Sequence, residues 1–245
     1  MNRPNSLLAR SIMLLAAVCG IVSIGLFVLA PTGSLRVFQT QWPVAGVLCW
    51  DAGLSLLFFV QHSGMVRKGF RARLARFVPP WCYLAFYAIA SGVALAAVAL
   101  LWQPSGRHLL VLDGLPLRIT QGGSLVAVAF FFWGVFALKG FDLFGLSPVR
   151  AHLRGTQEPP TAFVVRGPYR WVRHPLYFSI LVLFWLCPDL TLDRLLFNVL
   201  WTGWIWIGTR LEEGDLENEF GGAYRDYRRS VPMLIPWRAG LMRQP

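Results

Sequence analysis

Hydrophobic positions along the chain fall into six apolar runs, 11–30, 44–60, 81–102, 123–141, 176–187 and 195–209, separated by polar connections. About 20 apolar residues are needed for a helix to cross a bilayer. The first four runs meet that length, and each predicts a membrane-spanning helix. The fifth is only about a dozen residues long, the length of a buried or re-entrant segment. It is followed across Pro188-Asp189, a turn signal, by the sixth. The last two runs therefore predict a helical hairpin. Run 11–30 is long for a signal-peptide core and lacks a small-residue cleavage site, so it is expected to remain as an anchor helix.

The expected fold class is an all-α integral membrane protein of about six transmembrane helices, ending in the hairpin and a cytoplasmic tail helix. It is expected to form one membrane domain over 1–245, with a four-helix part at 11–141 and a cofactor-binding part at 142–245. Composition sharpens this picture. The chain has 245 residues, 56% hydrophobic and 14% charged, with a mean hydropathy of +0.52. Soluble domains carry about 25% charged residues, so an ordinary soluble enzyme, a disordered chain and a disulfide scaffold are excluded.

The net charge of +11 has a membrane explanation that needs no nucleic acid. Of the 23 Lys and Arg, 19 lie in 1–10, 61–80, 139–174 and 210–245. The alternate connections hold only Arg36, Arg107, Arg118 and Arg194. Basic residues accumulate on the cytoplasmic side. Both termini, and the long polar stretches 142–174 and 210–245, are expected there, in a multi-pass membrane protein.

Two of these cytoplasmic stretches carry candidate chemistry. In the first, Gly167-Pro168 marks a turn, and Pro175 fits the first turn of the fifth helix. His174 then sits at its cap, where free N–H groups favour an anion, with Arg170 and Arg173 adding charge. Read without function, the arginines here are lipid anchors, and Tyr169, Trp171 and Tyr177 are an interfacial belt. The second stretch follows the sixth run. Glu212 and Glu213 fall at the membrane boundary, where an ionised carboxylate is costly unless paired or in a wet cavity. Arg210, Arg170 and Arg173 are the available partners. The hairpin brings both acids beside His174. Tyr224 and Tyr227 share a face of the following helix, which Pro232 and Pro236 end; it reads as an interfacial helix or as a lid over a cytoplasmic pocket.

Upstream, Gln61-His62-Ser63 ends the second run, and Asp142 follows the fourth. The four cysteines lack CxxC spacing and read as small core hydrophobes, and the four histidines are scattered. No metal site is expected. GxGxxG, P-loop, HExxH and GxSxG motifs are all absent.

Arg173-His174-Pro175 followed by Glu212-Glu213, Tyr224-x-x-Tyr227 and Val231-Pro232-x-x-Ile235-Pro236 resembles the signature of membrane methyltransferases of the isoprenylcysteine carboxyl methyltransferase type. That likeness covers about the last 75 residues. Trp50-Asp51, Phe59 through Met65, Phe141 through Leu146 and Leu192 through Leu196 resemble the nurim family, which includes bacterial methanethiol S-methyltransferases; the likeness then runs over 46–236. One departure is that Trp81-Cys82-Tyr83-Leu84 stands where many relatives carry Glu/Gln-Arg-Ser. The paired glutamates, which animal nurims look to lack, are present.

The resemblance implies S-adenosylmethionine bound on the cytoplasmic side by the hairpin, the 165–177 connection and the tail. Its carboxylate would suit the helix N-terminus near His174 and Arg173. Its hydroxyls or amino group would suit Glu212 or Glu213. Its sulfonium would suit Tyr169, Tyr177 or Tyr224. Gly167 completes this set. The acceptor would enter from the bilayer past Gln61, His62 and Asp142, with His62 as candidate base. The resemblance implies an enzyme of a bacterial inner membrane that S-methylates a small thiol such as methanethiol to a volatile sulfide; the alternatives are a lipid-like acceptor such as an isoprenylated cysteine, or a non-enzymatic nurim-like role.

Overall fold

The computed structural model describes residues 6–29, 37–38, 40–138, 142–157 and 163–237. Arg3, Arg36, Lys139 and Phe141, used above for sidedness and resemblance, lie outside these residues. The chain forms two compact units, 1–105 with 142–160, and 106–141 with 161–245. Among the described residues, four helices are long and apolar enough to cross a membrane, and the chain is a helical membrane protein.

The first unit contains α1 (Ser6–Leu29), α2 (Val44–Val66), a short α3 (Lys68–Leu74), α4 (Tyr83–Leu101) and α6 (Leu146–Arg154). Ala9 and Ala16, two turns apart on α1, are buried with Ala85 of α4 and Val149 of α6. Small side chains at such a seam let helices approach closely where lipid gives no hydrophobic drive. The amphipathic α6 is fixed at its start by Asp142, whose two carboxylate oxygens accept N–H bonds from Leu146 (2.9 Å) and Ser147 (2.6 Å). Near its end, His152 stacks on Trp81 at 4.3 Å.

The second unit contains β1 (His108–Val111), α5 (Gly114–Ala137), α7 (Pro175–Trp185), β2 (Asp189–Thr191), α8 (Leu192–Phe220) and α9 (Gly222–Ser230). The strands pair antiparallel, a feature the sequence does not predict. Their exposed His108 and Asp189 side chains are 2.7 Å apart. Helix α7 lies antiparallel on α5. A Cβ on Gly134 would meet Leu176 at 2.8 Å, and one on Gly123 would meet Leu186 at 2.8 Å.

With 11 residues, α7 is about 16 Å long, roughly half a hydrocarbon core. The last carbonyls of the helix have no intrahelical donor and need partners from elsewhere. Buried Asn198 of α8 donates to the carbonyl of Phe184 at 2.9 Å, and Trp185 donates to Thr202 at 3.1 Å. Replacing Asn198 by leucine strands that carbonyl. The N198L variant should lose about 1–3 kcal/mol, read as a lower melting temperature in detergent. An unchanged melting curve would show that the α7 end is supported otherwise. Helix α8 has 29 residues, about 43 Å, so its acid-rich last turns continue past its apolar part.

Candidate functional site

Glu213 carries a carboxylate that meets Arg173, His174 and Arg228. The buried positions of α8 are Asn198, Trp201, Ile205, Thr209 and Glu213. Their three- and four-residue spacing puts them on one face. Glu213 is 2% exposed, while Glu212, one residue back and off that face, is exposed. The Arg173 guanidinium wraps Glu213: Nε donates to Oε1 at 2.6 Å, and Nη2 lies 2.6 Å from the same oxygen. His174 Nε2 is 3.3 Å from Oε1, and Arg228 Nε is 3.6 Å from Oε2. On its other edge, His174 Nδ1 faces Glu212 Oε2 at 4.0 Å, and the ring of Tyr177 stacks on it at 5.7 Å.

The tail is tied into the same knot. Arg173 Nη1 donates to the carbonyls of Arg228 (2.9 Å) and Val231. The backbone N–H groups of Arg173 and His174 donate to Pro232 (2.9 Å) and Met233 (3.2 Å). The N–H of residue 174, expected to be open to an anion, is thus occupied by the chain's own carbonyl. Gly167 opens the turn before this segment with φ +52°, and a Cβ there would sit 3.1 Å from Ala137 and Trp133. Any other residue would strain the turn and push it off α5. The turn places Tyr169, whose carbonyl accepts a 2.6 Å bond from the Tyr227 hydroxyl. Tyr224 and Tyr227 are buried and pack on Phe163.

Burial by itself raises the Glu213 pKa. Hydrogen bonds from His174 and Arg173, and their charges, outweigh it and bring the carboxyl down to about 2. Burial pushes the Tyr169 hydroxyl well up, helped by the Glu212 charge, and the Tyr224 hydroxyl likewise, helped by Glu213. Both phenols are therefore neutral donors at working pH. Beside Glu213 lies a cavity of about 480 Å³, walled by α8 (Trp206, Arg210, Glu213), Arg173 and the tail from Arg228 to Trp237.

Over 202 residues the chain is 37% identical to a methanethiol S-methyltransferase of Pseudomonas, covering 80% of this chain and 75% of that protein. It is 38% identical over 203 residues to a methanethiol S-methyltransferase of Mycobacterium tuberculosis, covering 80% of each. The chain belongs to the methanethiol S-methyltransferase family. Nurim of Sus scrofa is 28% identical over 202 residues, 76% of this chain and 74% of that protein. No family model matches the chain. No solved structure matches it either.

In this member of the methanethiol S-methyltransferase family, the structure brings Gly167, Tyr169, Arg173, His174, Tyr177, Glu212, Glu213 and Tyr224 into one unit. Gln61, His62 and Asp142 belong to the other. There, His62 Nδ1 is 3.1 Å from Ser91 Oγ, and Tyr87 Oη is 2.8 Å from Nε2. Phe58 stacks on the ring at 5.1 Å. The Gln61 amide donates to Met65 Sδ at 2.9 Å and reaches Ser91 at 3.5 Å.

Sequence reasoning missed Tyr87 and Ser91, although two polar residues one turn apart in an otherwise apolar helix are the available signal. It also missed Arg228 and the tail carbonyls. Among the described residues, no group of three His, Cys, Asp or Glu is placed to hold a metal.

Proposed function

We propose that this membrane methyltransferase takes its methyl group from S-adenosylmethionine and places it on a small thiol, with methanethiol as the leading acceptor. Its relatives at 35–38% identity are methanethiol S-methyltransferases. The observation that carries the donor half is the buried Arg173–Glu213–His174 cluster beside the cavity.

The residues present fit the donor. The cavity volume lies within the ~300–1,000 Å³ of small-molecule sites. Its tail side is apolar (Val231, Met233, Leu234, Ile235, Trp237), as a nucleobase needs, and its α8 side is charged. Glu213 stays ionised and can accept from hydroxyl or amino groups through Oε2, whose one contact of ion-pair length among the described residues is the 3.6 Å one to Arg228. Tyr169, Tyr177 and Tyr224 lie outside the lining of this cavity; they are proposed to meet the sulfonium from the side of His174, on which Tyr177 stacks. Gly167 and His174 shape the segment that carries them.

When bound, the donor supplies a methyl group already activated on a positively charged sulfur. The protein's part is to hold, orient and exclude water. On the acceptor side, a thiol reacts as its thiolate. His62, steadied by its hydroxyl partners, is the residue proposed to take the proton, and Gln61 is the neighbouring polar contact. Asp142 enters this half only through the helix start that it holds.

The proposed topology keeps 1–245 as one membrane domain with six passes. The hairpin is formed by α7, the extended residues 186–191 and α8. The site and both termini face the cytoplasm, and lipids surround the apolar helices.

The test is to incubate detergent-solubilised protein with labelled S-adenosylmethionine and a panel of thiols, with headspace analysis. Dimethyl sulfide from methanethiol is expected. The H62Q variant should run about 100-fold slower, within the range general-base removal gives. Absence of any labelled volatile sulfide from the wild type would remove the small-thiol reading.

A further inference from the structure

The cavity beside Glu213 carries an imbalance that the described contacts do not use up. Four guanidinium groups, from Arg173, Arg210, Arg228 and Arg229, line it against one carboxylate. Three of the four are engaged by the protein. All three nitrogen positions of Arg173 are taken by Glu213 and by tail carbonyls. Arg228 reaches Glu213 and donates to Glu217 at 3.1 Å. Arg229 donates to Asp226 at 3.4 Å.

Arg210 differs. Among the described residues no carboxylate lies within ion-pair distance of it. Its guanidinium stands instead over the indole of Trp206, 5.1 Å from the ring centre, and both residues wall the cavity. Arg210 is also three residues before Glu213 on α8, so the two side chains leave neighbouring positions on the helix. A guanidinium held by an aromatic face keeps its planar fork open, and that fork matches a carboxylate in two parallel hydrogen bonds.

We propose that Arg210 binds the α-carboxylate of the methyl donor. This rests on the donor reading above and moves the carboxylate away from Arg173 and the α7 N-terminus. The Arg173 guanidinium already serves Glu213 and the tail, and the N–H groups of residues 173 and 174 already serve Pro232 and Met233. The assignment divides the donor chemically: its anionic end goes to Arg210, and its hydroxyls and amino group go to Glu213.

The experiment is calorimetric, with no turnover. Wild-type protein and the R210Q and R210K variants, in nanodiscs of neutral lipid and separately in nanodiscs containing anionic lipid, are titrated with S-adenosylmethionine and with its decarboxylated analogue, after their melting temperatures are shown to match. R210Q should bind S-adenosylmethionine about ten- to a hundredfold more weakly than wild type. R210K should fall between them. All three proteins should bind the decarboxylated analogue alike.

Equal affinity of R210Q and wild type for S-adenosylmethionine would overturn the assignment and leave the donor reading intact. The same loss for both ligands would also overturn it, because Arg210 would then only shape the cavity. If the loss appears only in nanodiscs containing anionic lipid, the guanidinium serves a lipid phosphate and the assignment fails. If the wild type binds neither ligand, the donor reading itself fails and takes this inference with it.

Discussion

Replacing Glu213 by alanine is expected to reduce methyl transfer below detection and to weaken S-adenosylmethionine binding about 100-fold. The carboxylate is 2% exposed and sits at hydrogen-bond distance from Arg173 and His174, so deletion has two effects. It removes a charged acceptor from the cavity wall, a loss of about 1.5–3 kcal/mol for a charged hydrogen bond. It also leaves the Arg173 guanidinium buried without its counter-ion, which costs about 3–5 kcal/mol of stability. The E213Q variant separates the two effects, keeping the shape and one acceptor oxygen while losing the charge.

The pH behaviour follows from the sign of the shift. A carboxyl held at about 2 in the folded protein, against 4.5 unperturbed, contributes stability that is fully present above 4.5. That contribution is lost progressively as pH falls from 4.5 through about 2. In wild type, donor affinity should therefore show no carboxylate titration above 4.5 from this residue. Wild-type affinity in E213A, measured by calorimetry, would sink the role given to this residue.

The second large effect belongs to Arg173. In R173A, Glu213 is left buried and unpaired, and the carbonyls of Arg228 and Val231 lose their donor. The expected cost is about 3–5 kcal/mol, concentrated in the tail. Hydrogen exchange of 228–236 should accelerate by orders of magnitude, while that of α5 stays slow. R173K tests geometry separately from charge, since an ammonium cannot bridge a carboxylate and two carbonyls as a guanidinium fork does. It should recover little of the protection. Tail exchange at wild-type rates in R173K would mean that the 173–174 backbone bonds to Pro232 and Met233 suffice, and that the guanidinium is dispensable to the fold.

Much of this was legible in the residues. Four long apolar runs give α1, α2, α4 and α5 because spanning helices need length and apolarity and little else. The fifth run was short in sequence and is an 11-residue helix in the fold. The expected hairpin would bring His174 to the glutamates, and His174 lies 3.3 Å from Glu213 and 4.0 Å from Glu212. The choice between Glu212 and Glu213 was also available, since only Glu213 continues the four-residue spacing of Ile205 and Thr209.

The rest depends on pairings too distant for local pattern to encode. The β1–β2 ribbon joins His108 to Thr191 across most of the second unit. The tail enters the cluster through backbone carbonyls, which carry no residue signature. The hydroxyls around His62 come from another helix. Asp142 looked like a candidate for substrate contact, but its two oxygens are given to the start of α6, an assignment that a lone acid before a short helix does not announce.

The bonds from residues 173 and 174 to Pro232 and Met233 bear on biosynthesis. The membrane helices can insert as they leave the ribosome, but this wall of the cavity does not exist until residues 228–237 have been made. The cavity is therefore completed only when the tail has been made and reaches back to the start of α7.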